Sequence, residues 1–225
     1  MALVGNTVTY TPTPNTGTYT ETLTYTVSDG TASSTGTLTI TVNASNDAPV
    51  AVDDTETLTE DASLTSIIVL NDDTDADGDS LTVSAISYSG TGTAAINSDN
   101  ARIDYTPAAN FNGTDTITYT VSDGTATDTG TLTITVSAVN DSPVANGDTV
   151  TTKQDTSVLI AVLANDTHAD SSAMTITAVT SPANGTVTQN GSVVTYTPNS
   201  GFSGSDSFSY TVQDANSATA TASVS

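Results

Sequence analysis

The sequence predicts an all-β protein, built from tandem antiparallel β-sandwiches of seven strands each. Threonine, which favours strands, makes up about one residue in five, while leucine, lysine, arginine and glutamate, the usual helix formers, are scarce. Nearly all the acids are aspartates, which favour turns, and only Glu21, Glu56 and Glu60 are glutamates. Short alternating apolar and polar runs separated by glycine-containing turns complete the pattern of an all-β chain.

An internal repeat sets the domain organisation. The octapeptide Tyr-Thr-Val-Ser-Asp-Gly-Thr-Ala begins at Tyr25 and again at Tyr119, and a looser copy begins at Tyr210. Its spacing of about 94 residues suits one small sandwich and is far too long for a solenoid turn. We therefore expect three segments: residues 1–47 as the C-terminal half of a repeat, 48–141 as a complete repeat, and 142–225 as a repeat that lacks the end of its last strand.

The complete repeat divides into seven predicted strands, A to G. In strand F, Ile117, Tyr119 and Val121 alternate with threonines, and this pattern buries one face of a sheet. Short hairpin connections imply antiparallel pairing, and seven such strands suit an immunoglobulin-like sandwich. We expect Tyr119 to lie in the core with its hydroxyl bonded to the backbone, and not to be a sugar-stacking platform. The predicted strands span about 54–60, 63–70, 81–88, 92–97, 101–106, 114–122 and 130–138.

The first residues predict an interrupted domain. Residues 1–20 lack a basic start and an apolar core, so they are not a signal peptide. They fit the middle of a β-domain, and we expect the chain to be a fragment of a longer protein. The half-repeat is then completed either by the missing sequence or by strands from another copy of the chain, and the sequence does not choose between the two.

Charge and residue content exclude several function classes. The net charge is -23, with only Arg102 and Lys153 as basic residues, so nucleic acid and anionic membrane surfaces would be repelled. With no cysteine and one histidine, disulfides, thiolate chemistry and histidine-assisted nucleophilic catalysis have almost nothing to work with. We expect no enzymatic activity, and we expect His168 to be solvated and not to bind a transition metal.

The segment 71–81 is the densest acidic stretch and the first candidate site. It places five aspartates within eight positions, and two unit charges about 4 Å apart repel by roughly 1 kcal/mol in water. Aspartates at alternate positions followed by Gly78 match the first half of an EF-hand calcium loop, but Ser84 stands where the closing glutamate is required. We expect a calcium-type loop between strands B and C; the alternative is a solvated acidic loop.

Sandwich topology brings further acids to this loop. The B–C and F–G loops lie at the same end of the sandwich, facing the preceding repeat and the linker that joins the two. An inter-domain calcium site is therefore predicted at the first junction. Its candidate ligands are Glu21 from the E–F region of the first repeat, Asn46 and Asp47 from the linker, Asp73, Asp75, Asp77 and Asp79 from the B–C loop, and Asp123 from the F–G loop.

These motifs resemble those of cadherin-like repeats of the bacterial kind, found in tandem in large secreted adhesins and sometimes named tandem-95 repeats. Asn46-Asp47-x-Pro49 and Asn140-Asp141-x-Pro143 are similar to the cadherin linker motif. Asp75-Ala76-Asp77 resembles the paired B–C aspartates, and Glu60 resembles the A–B glutamate that binds calcium at the following junction. The resemblance implies an extracellular protein, secreted or on the cell surface, with several Ca²⁺ ions stiffening each junction.

The second junction departs from this pattern. Glu60, Asp61, Asn140 and Asp141 remain as candidate ligands, and Asp115 could contribute. The B–C loop of the third repeat, however, retains only Asp166 and Asp170. We therefore expect full calcium loading at the first junction and reduced or absent loading at the second, with Asp170 as the remaining loop ligand.

The leading functional prediction is a non-catalytic structural extender of a repetitive extracellular adhesin or fibre. Its partners would be neighbouring repeats of the same protein, and other copies if the half-repeat is completed in trans. Two alternatives stay open: a glycan- or protein-binding adhesion module, and a spacer in a large secreted enzyme. No apolar run is long enough for membrane insertion.

Overall fold

The computed structural model describes residues 2–13 and 17–225 and divides the chain into two compact units, Met1–Ser137 and Ala138–Ser225. Every regular element among the described residues is a β-strand, so the prediction of an all-β protein is confirmed. No helix in this part of the chain is long and apolar enough to cross a membrane.

Eleven strands lie among the described residues of the first unit, and seven of them match the predicted strands A to G. All seven predicted boundaries agree within three residues, and the period-2 alternation is clearest in β10 and β11. The strands are β1 (Ala2–Val4), β2 (Thr7–Thr9), β3 (Tyr19–Ser28), β4 (Ser33–Val42), β5 (Asp54–Thr59), β6 (Thr65–Ile68), β7 (Thr82–Tyr88), β8 (Thr93–Ile96), β9 (Arg102–Thr106), β10 (Gly113–Ser122) and β11 (Thr127–Ser137).

Strands β5 to β11 form two sheets, one with the order β5-β11-β10-β7 and the other with the order β6-β9-β8. The hairpin of β10 and β11 pairs ten residues in unbroken antiparallel register. One pair departs from the predicted all-antiparallel arrangement, because β5 runs parallel to β11 over six residue pairs. The two strands lie far apart in sequence, so no tight hairpin turn constrains their relative direction.

The core of the first unit lies between these two sheets. Ile117, Tyr119 and Val121 of β10 are fully buried, as are Leu132 and Ile134 of β11. The threonines between them are exposed or half-buried, as the alternation predicts. The Tyr119 hydroxyl donates to the Val52 carbonyl at 2.6 Å and to Asp54 Oδ2 at 2.8 Å, which confirms the core position predicted for this tyrosine.

Strands β1 to β4 form only two-stranded sheets, β1 with β2 and β3 with β4. The β3–β4 hairpin repeats the β10–β11 hairpin, with Tyr25 opposite Gly36 as Tyr119 is opposite Gly130. Its apolar residues are far less covered: Tyr25 is 46% exposed and Val27 is 60% exposed. This hairpin is therefore an F–G pair whose apolar side lacks most of its cover.

The second unit forms two three-stranded sheets, β12-β15-β14 and β13-β16-β17. Tyr210 in β16 takes the place of Tyr119 and is likewise fully buried. Its hydroxyl donates to the Asn146 carbonyl and to Asp166, so the same buried tyrosine contact recurs. The strands are β12 (Val158–Ile160), β13 (Thr175–Val179), β14 (Gly185–Asn190), β15 (Val193–Pro198), β16 (Phe208–Gln213) and β17 (Thr219–Val224).

Candidate metal centre

The acidic loop, residues 71–81, connects β6 to β7 and folds around one aspartate. Asp75 Oδ1 accepts the backbone N–H groups of Asp77 at 2.9 Å and Asp79 at 3.2 Å. Gly78 has a φ of 81°, which glycine adopts without strain, and its N–H donates to the Asp75 carbonyl. These bonds turn the loop back on itself and keep the three aspartates together.

The carboxylates of Asp75, Asp77 and Asp79 converge, each offering an oxygen within 4.8 Å of the others. Asp75 Oδ2 is buried and has no hydrogen-bond partner. A buried, unpaired carboxylate oxygen is costly, and mutual repulsion of three carboxylates adds to that cost. A cation would both coordinate the unpaired oxygen and neutralise the repulsion. A donor set made only of oxygens fits a hard divalent ion such as Ca²⁺.

The linker joins this loop to the turn between β10 and β11. The Asn46 side-chain amide donates to Asp123 Oδ2 at 2.9 Å, and the Asp47 N–H donates to Asp77 Oδ2 at 2.7 Å. A cleft of about 180 Å³ is lined by Asp47, Asp77 and the chain segment 42–45. The structure thus brings linker, B–C loop and F–G loop together at the first junction.

Asp123 is held as a carboxylate by its own turn. Its Oδ1 accepts the N–H groups of Thr125 and Ala126, both at 2.6 Å. The hydrogen bonds from Ala126 and from the Asn46 side chain lower the pKa of Asp123 below its usual value. The negative charge at this end of the unit therefore persists into acid solution.

Asp73 and Glu21, two predicted ligands of the first junction, lie outside the cluster of Asp75, Asp77 and Asp79. Asp73 Oδ1 accepts the Val52 N–H at 2.7 Å, and the side chain lies at the base of the loop, where burial raises its pKa. Glu21 lies within β3 and not in an E–F loop, and its carboxylate interacts with the Tyr10 hydroxyl. Ligation by either residue stays a prediction.

The base of the loop forms a second acidic group around Tyr119. Burial, together with the charges of Asp72 and Asp73, raises the pKa of Asp54 to about 6, although the Tyr119 hydroxyl opposes the shift. Sequence analysis missed this group, because Asp54 is the first residue of β5 and only the pairing of β5 with β11, which itself pairs with β10, brings Asp54 beside Tyr119.

The second unit repeats the linker contacts of the first. The Asn140 amide donates to Asp214 Oδ2 at 2.7 Å, and the Asp141 N–H donates to Asp170 Oδ2 at 2.9 Å. Asp214 thus corresponds to Asp123, a correspondence that the looser repeat beginning at Tyr210 could have indicated. Bonds from Asn140 and His168 lower the pKa of Asp214 to about 2.

His168 occupies the position of Asp75, and the prediction that it is solvated is wrong. Its side chain is 1% exposed, its Nδ1 accepts the Asp170 N–H at 3.1 Å, and its Nε2 lies 3.2 Å from Asp214 Oδ2. In the first unit the Asp77 N–H donates to the Asp75 carboxylate, and in the second unit the equivalent Asp170 N–H donates to the His168 imidazole. Ser172 stands where Asp79 would be, so one carboxylate of three remains in this loop.

The remaining predicted ligands of the second junction belong to both units. In the first unit, Glu60 is 3% exposed and accepts from the Asn112 amide at 3.3 Å, while Asp61 accepts the Asn110 N–H at 3.0 Å. Asp115 is buried and accepts hydrogen bonds from the hydroxyls of Tyr88 and Tyr105. Joint calcium binding by these residues with Asn140, Asp141 and Asp170 stays a prediction.

Solved structures similar to the chain include extracellular repeats and parts of enzymes. Mouse protocadherin-24 EC1-3 is 15% identical over 91% of this chain and 79% of its own, with a TM-score of 0.48. Human desmocollin-1 ectodomain is 15% identical over 86% and 39%, with a TM-score of 0.43. An endo-fucoidan hydrolase from glycoside hydrolase family 107 is 21% identical over 93% and 34%, with a TM-score of 0.38, so the chain spans about a third of its length.

We draw no functional conclusion from structural similarities at this level. No curated protein matches the chain in sequence. The model of the bacterial Ig domain, in contrast, matches residues 46–135 and again residues 140–225, which together make up most of the chain. The resemblance to bacterial Ig-like repeats is thereby confirmed, and the chain belongs to the bacterial Ig domain family, with two copies of that domain in tandem.

Proposed function

We propose that the chain is a non-catalytic structural extender of an extracellular adhesin or fibre, and that Ca²⁺ binds at the first junction and stiffens it. The observation that carries the proposal is the convergence of the Asp75, Asp77 and Asp79 carboxylates around a buried oxygen that has no partner. Membership of a family of repeated bacterial Ig domains supports the extracellular structural role.

The linker contacts explain how an ion would affect the junction. Asp77 accepts a hydrogen bond from linker residue Asp47, and Asn46 is tied to Asp123. A cation on Asp75 and Asp77 would neutralise the loop that holds the linker. The ion binds the folded loop and not the unfolded chain, so it adds RT ln(1 + [Ca²⁺]/Kd) to stability, about 2.7 kcal/mol at a hundredfold excess over Kd.

The second unit offers a weaker site for the same ion. The second loop has His168 and Ser172 at the positions of Asp75 and Asp79 in the first. Both ring nitrogens of His168 are already hydrogen-bonded, one to the Asp170 N–H and the other to Asp214. Imidazole nitrogen is a poor ligand for calcium, which takes oxygen donors. We therefore place the tighter calcium site in the first unit.

Thermal unfolding of the whole chain tests the proposal in millimolar calcium, in excess chelator and in magnesium. We expect calcium to raise the Tm of the first unit by about 5–10 °C, the shift that about 2.7 kcal/mol of added stability produces in a domain of its length. The double substitution Asp75→Asn and Asp77→Asn should abolish the shift, since it removes two charged ligands and keeps similar shapes.

A matched control removes two charges elsewhere, through Glu56→Gln and Asp99→Asn, and should keep the calcium shift. Calcium titration by calorimetry gives a second readout: the heat of binding should disappear in the Asp75→Asn, Asp77→Asn variant and remain in the control. Equal Tm values in calcium and chelator would mean that the acidic loop is merely solvated, and the calcium part of the proposal would then fail.

A further inference from the structure

The sequence contains four Asn-Gly pairs, and the structure places them in different surroundings. Asparagine followed by glycine is chemically labile, because the peptide nitrogen of the glycine can attack the side-chain amide carbon and no Cβ shields that nitrogen. The attack requires that the side chain and the glycine backbone can turn towards each other. The four asparagines are Asn112, Asn146, Asn184 and Asn190.

Hydrogen bonds restrain the side chains of Asn112 and Asn146. The Asn112 amide donates to Glu60 Oε2 at 3.3 Å. The Asn146 amide donates to the Asn165 carbonyl at 2.8 Å, and the backbone N–H of Asn146 donates to Asp166 at 2.7 Å. An amide held in this way cannot swing its Cγ against the next peptide nitrogen unless the hydrogen bond breaks, so both pairs should react slowly.

Backbone packing restrains the Asn184-Gly185 pair. Gly185 lies in β14 opposite Pro198, and a Cβ at Gly185 would lie 2.5 Å from the Tyr196 ring. The Asn184 N–H donates to Asp206 Oδ2 at 2.9 Å. The backbone on both sides of the reacting peptide bond is therefore fixed, and this pair should also react slowly.

The Asn190-Gly191 pair has none of these restraints. Asn190 ends β14, and Gly191 and Ser192 form the two-residue turn to β15. Asn190 and Gly191 are exposed, and in the described part of the chain no hydrogen bond involves the Asn190 side chain or the Gly191 N–H. Gly191 has a φ of 63°, and nothing lies within 4 Å of the place that a Cβ would take. The Asn190 side chain and the Gly191 nitrogen can therefore approach each other freely in solvent.

We propose that Asn190 is a site of spontaneous covalent modification, at which the side-chain amide is converted to an acid through a cyclic imide. The Gly191 nitrogen forms a bond to Asn190 Cγ, the Cγ–Nδ2 bond breaks, and Nδ2 leaves as ammonia with the proton that the peptide nitrogen loses. Water then opens the imide ring. Cleavage of the bond from nitrogen to Cγ gives aspartate. Cleavage of the bond from nitrogen to the main-chain carbonyl carbon gives isoaspartate, whose main chain runs through Cγ.

The modification changes a turn that sets the register of two strands. Asn190 pairs with Val193 at the end of the β14–β15 ladder, and the next residue, Val194, is fully buried. Isoaspartate lengthens the main chain by one carbon at the residue that precedes the turn, so the pair of Asn190 and Val193 cannot keep its ladder geometry. Both products also add a negative charge to an acidic protein. The modified second unit should therefore be less stable than the original one.

Peptide mass spectrometry of the whole chain, incubated at physiological temperature and mildly alkaline pH, measures the conversion at all four asparagines. We expect Asn190 to convert several-fold faster than the other three and to give both isoaspartate and aspartate. The rate should rise with pH, because the attacking nitrogen must lose its proton. Equal rates at the four positions of the folded chain overturn the proposal, and so does the formation of aspartate without isoaspartate.

The same incubation in urea separates the effect of the fold from that of the local sequence. Once the chain is unfolded, the restraints on the other three pairs are gone, and the four rates should become similar. A preference for Asn190 that persists in urea would belong to the neighbouring residues, and the structural assignment would then be wrong.

Two variants test the consequence for stability. Asn190→Gln would have to close a larger ring and should stay unmodified, whereas Asn184→Gln, in the same unit, is the matched control and should age like the native chain. After equal incubation, the urea midpoint of the second unit should fall in the native chain and in the control but not in Asn190→Gln. Freshly prepared Asn190→Asp adds the charge without the altered main chain, so it should lose less stability. Equal midpoints for the aged native chain and aged Asn190→Gln would show that the turn tolerates the product, against the register argument.

Discussion

At the scale of single residues, the contact between Tyr119 and Asp54 shows how the fold uses its aspartates away from the candidate calcium site. The Tyr119 hydroxyl donates to Asp54 and to the Val52 carbonyl, and it ties the start of β5 to β10. Tyr210 makes similar contacts in the second unit, whereas Tyr25, at the same position of the octapeptide, is 46% exposed. One motif therefore has two environments in the same molecule.

Replacing Tyr119 with Phe should destabilise the first unit by about 1–3 kcal/mol, because the partly buried Val52 carbonyl and Asp54 carboxylate lose their donor. The matched substitution Tyr25→Phe should cost less than about 0.5 kcal/mol, because that ring is partly in solvent. Urea unfolding followed by tyrosine fluorescence measures both. Similar losses for the two variants would show that the hydroxyl contact is not what stabilises the unit.

Asp54 should make stability depend on pH. Its pKa is raised to about 6, above the ordinary value of 3.8, so the folded state holds its proton more tightly than the unfolded state. The stability contributed by that proton is present below pH 3.8 and is lost as pH rises through 6. Asp54→Asn should therefore be more stable than the native chain at neutral pH, and the difference should shrink towards pH 4.

Urea midpoints of the two proteins across this pH range give the test. Asn keeps an acceptor for Tyr119, so the comparison isolates the charge. Asp214, whose pKa is lowered to about 2, is present in both proteins, so its contribution near pH 4 cancels from the difference. A difference that stays constant with pH would contradict the assignment.

At the scale of elements, the hairpins β3–β4 and β10–β11 have similar sequences, but in the described part of the chain only β10–β11 is covered by a second sheet. Gly130 sits opposite Tyr119, and a Cβ there would lie 2.5 Å from the ring. Gly36 sits opposite Tyr25 with nearly the same distance, 2.6 Å. The local geometry is shared, but only the first ring is enclosed on all sides.

Gly130→Ala should therefore destabilise the first unit by about 1–3 kcal/mol, because the enclosed Tyr119 ring cannot move away from the added methyl group. Gly36→Ala should be close to neutral, since the exposed Tyr25 ring can swing into solvent. Chemical denaturation of both variants checks this. A large loss at Gly36 would mean that the β3–β4 hairpin is covered in solution, as strand completion by another copy would also require.

At the scale of the whole molecule, charge is distributed unevenly between the units. In residues 1–137, Glu21, Asp29 and Asp47 precede fifteen further acids, and Arg102 is the one basic residue, so the net charge is -17. The net charge of residues 138–225 is -6. Self-repulsion therefore falls mainly on the first unit. Salt screens such repulsion, with a Debye length of about 8 Å at 0.15 M.

Raising sodium chloride from low concentration to about 0.15 M should stabilise the first unit more than the second. Thermal unfolding measures this in chelator, so that calcium does not contribute. Tyr119→Phe and Tyr210→Phe assign the transitions, since each lowers the midpoint of its own unit. Equal salt shifts in the two units would contradict the charge argument.

The sequence by itself determined the strands, the repeat and the acidic loop, because each is written in local patterns. Alternation with period 2 marked β10 and β11 clearly, and the spacing of Asp75, Asp77 and Asp79 indicated converging carboxylates. The Asn-Asp linker motif likewise indicated contacts that the structure contains at both Asn46 and Asn140.

Tertiary structure decided the features that depend on neighbours distant in the chain. The parallel direction of β5 beside β11, the burial of His168 against Asp214 and the raised pKa of Asp54 arise from packing between separate segments. Burial and electrostatic environment are properties of the folded surroundings, and no local sequence pattern encodes them.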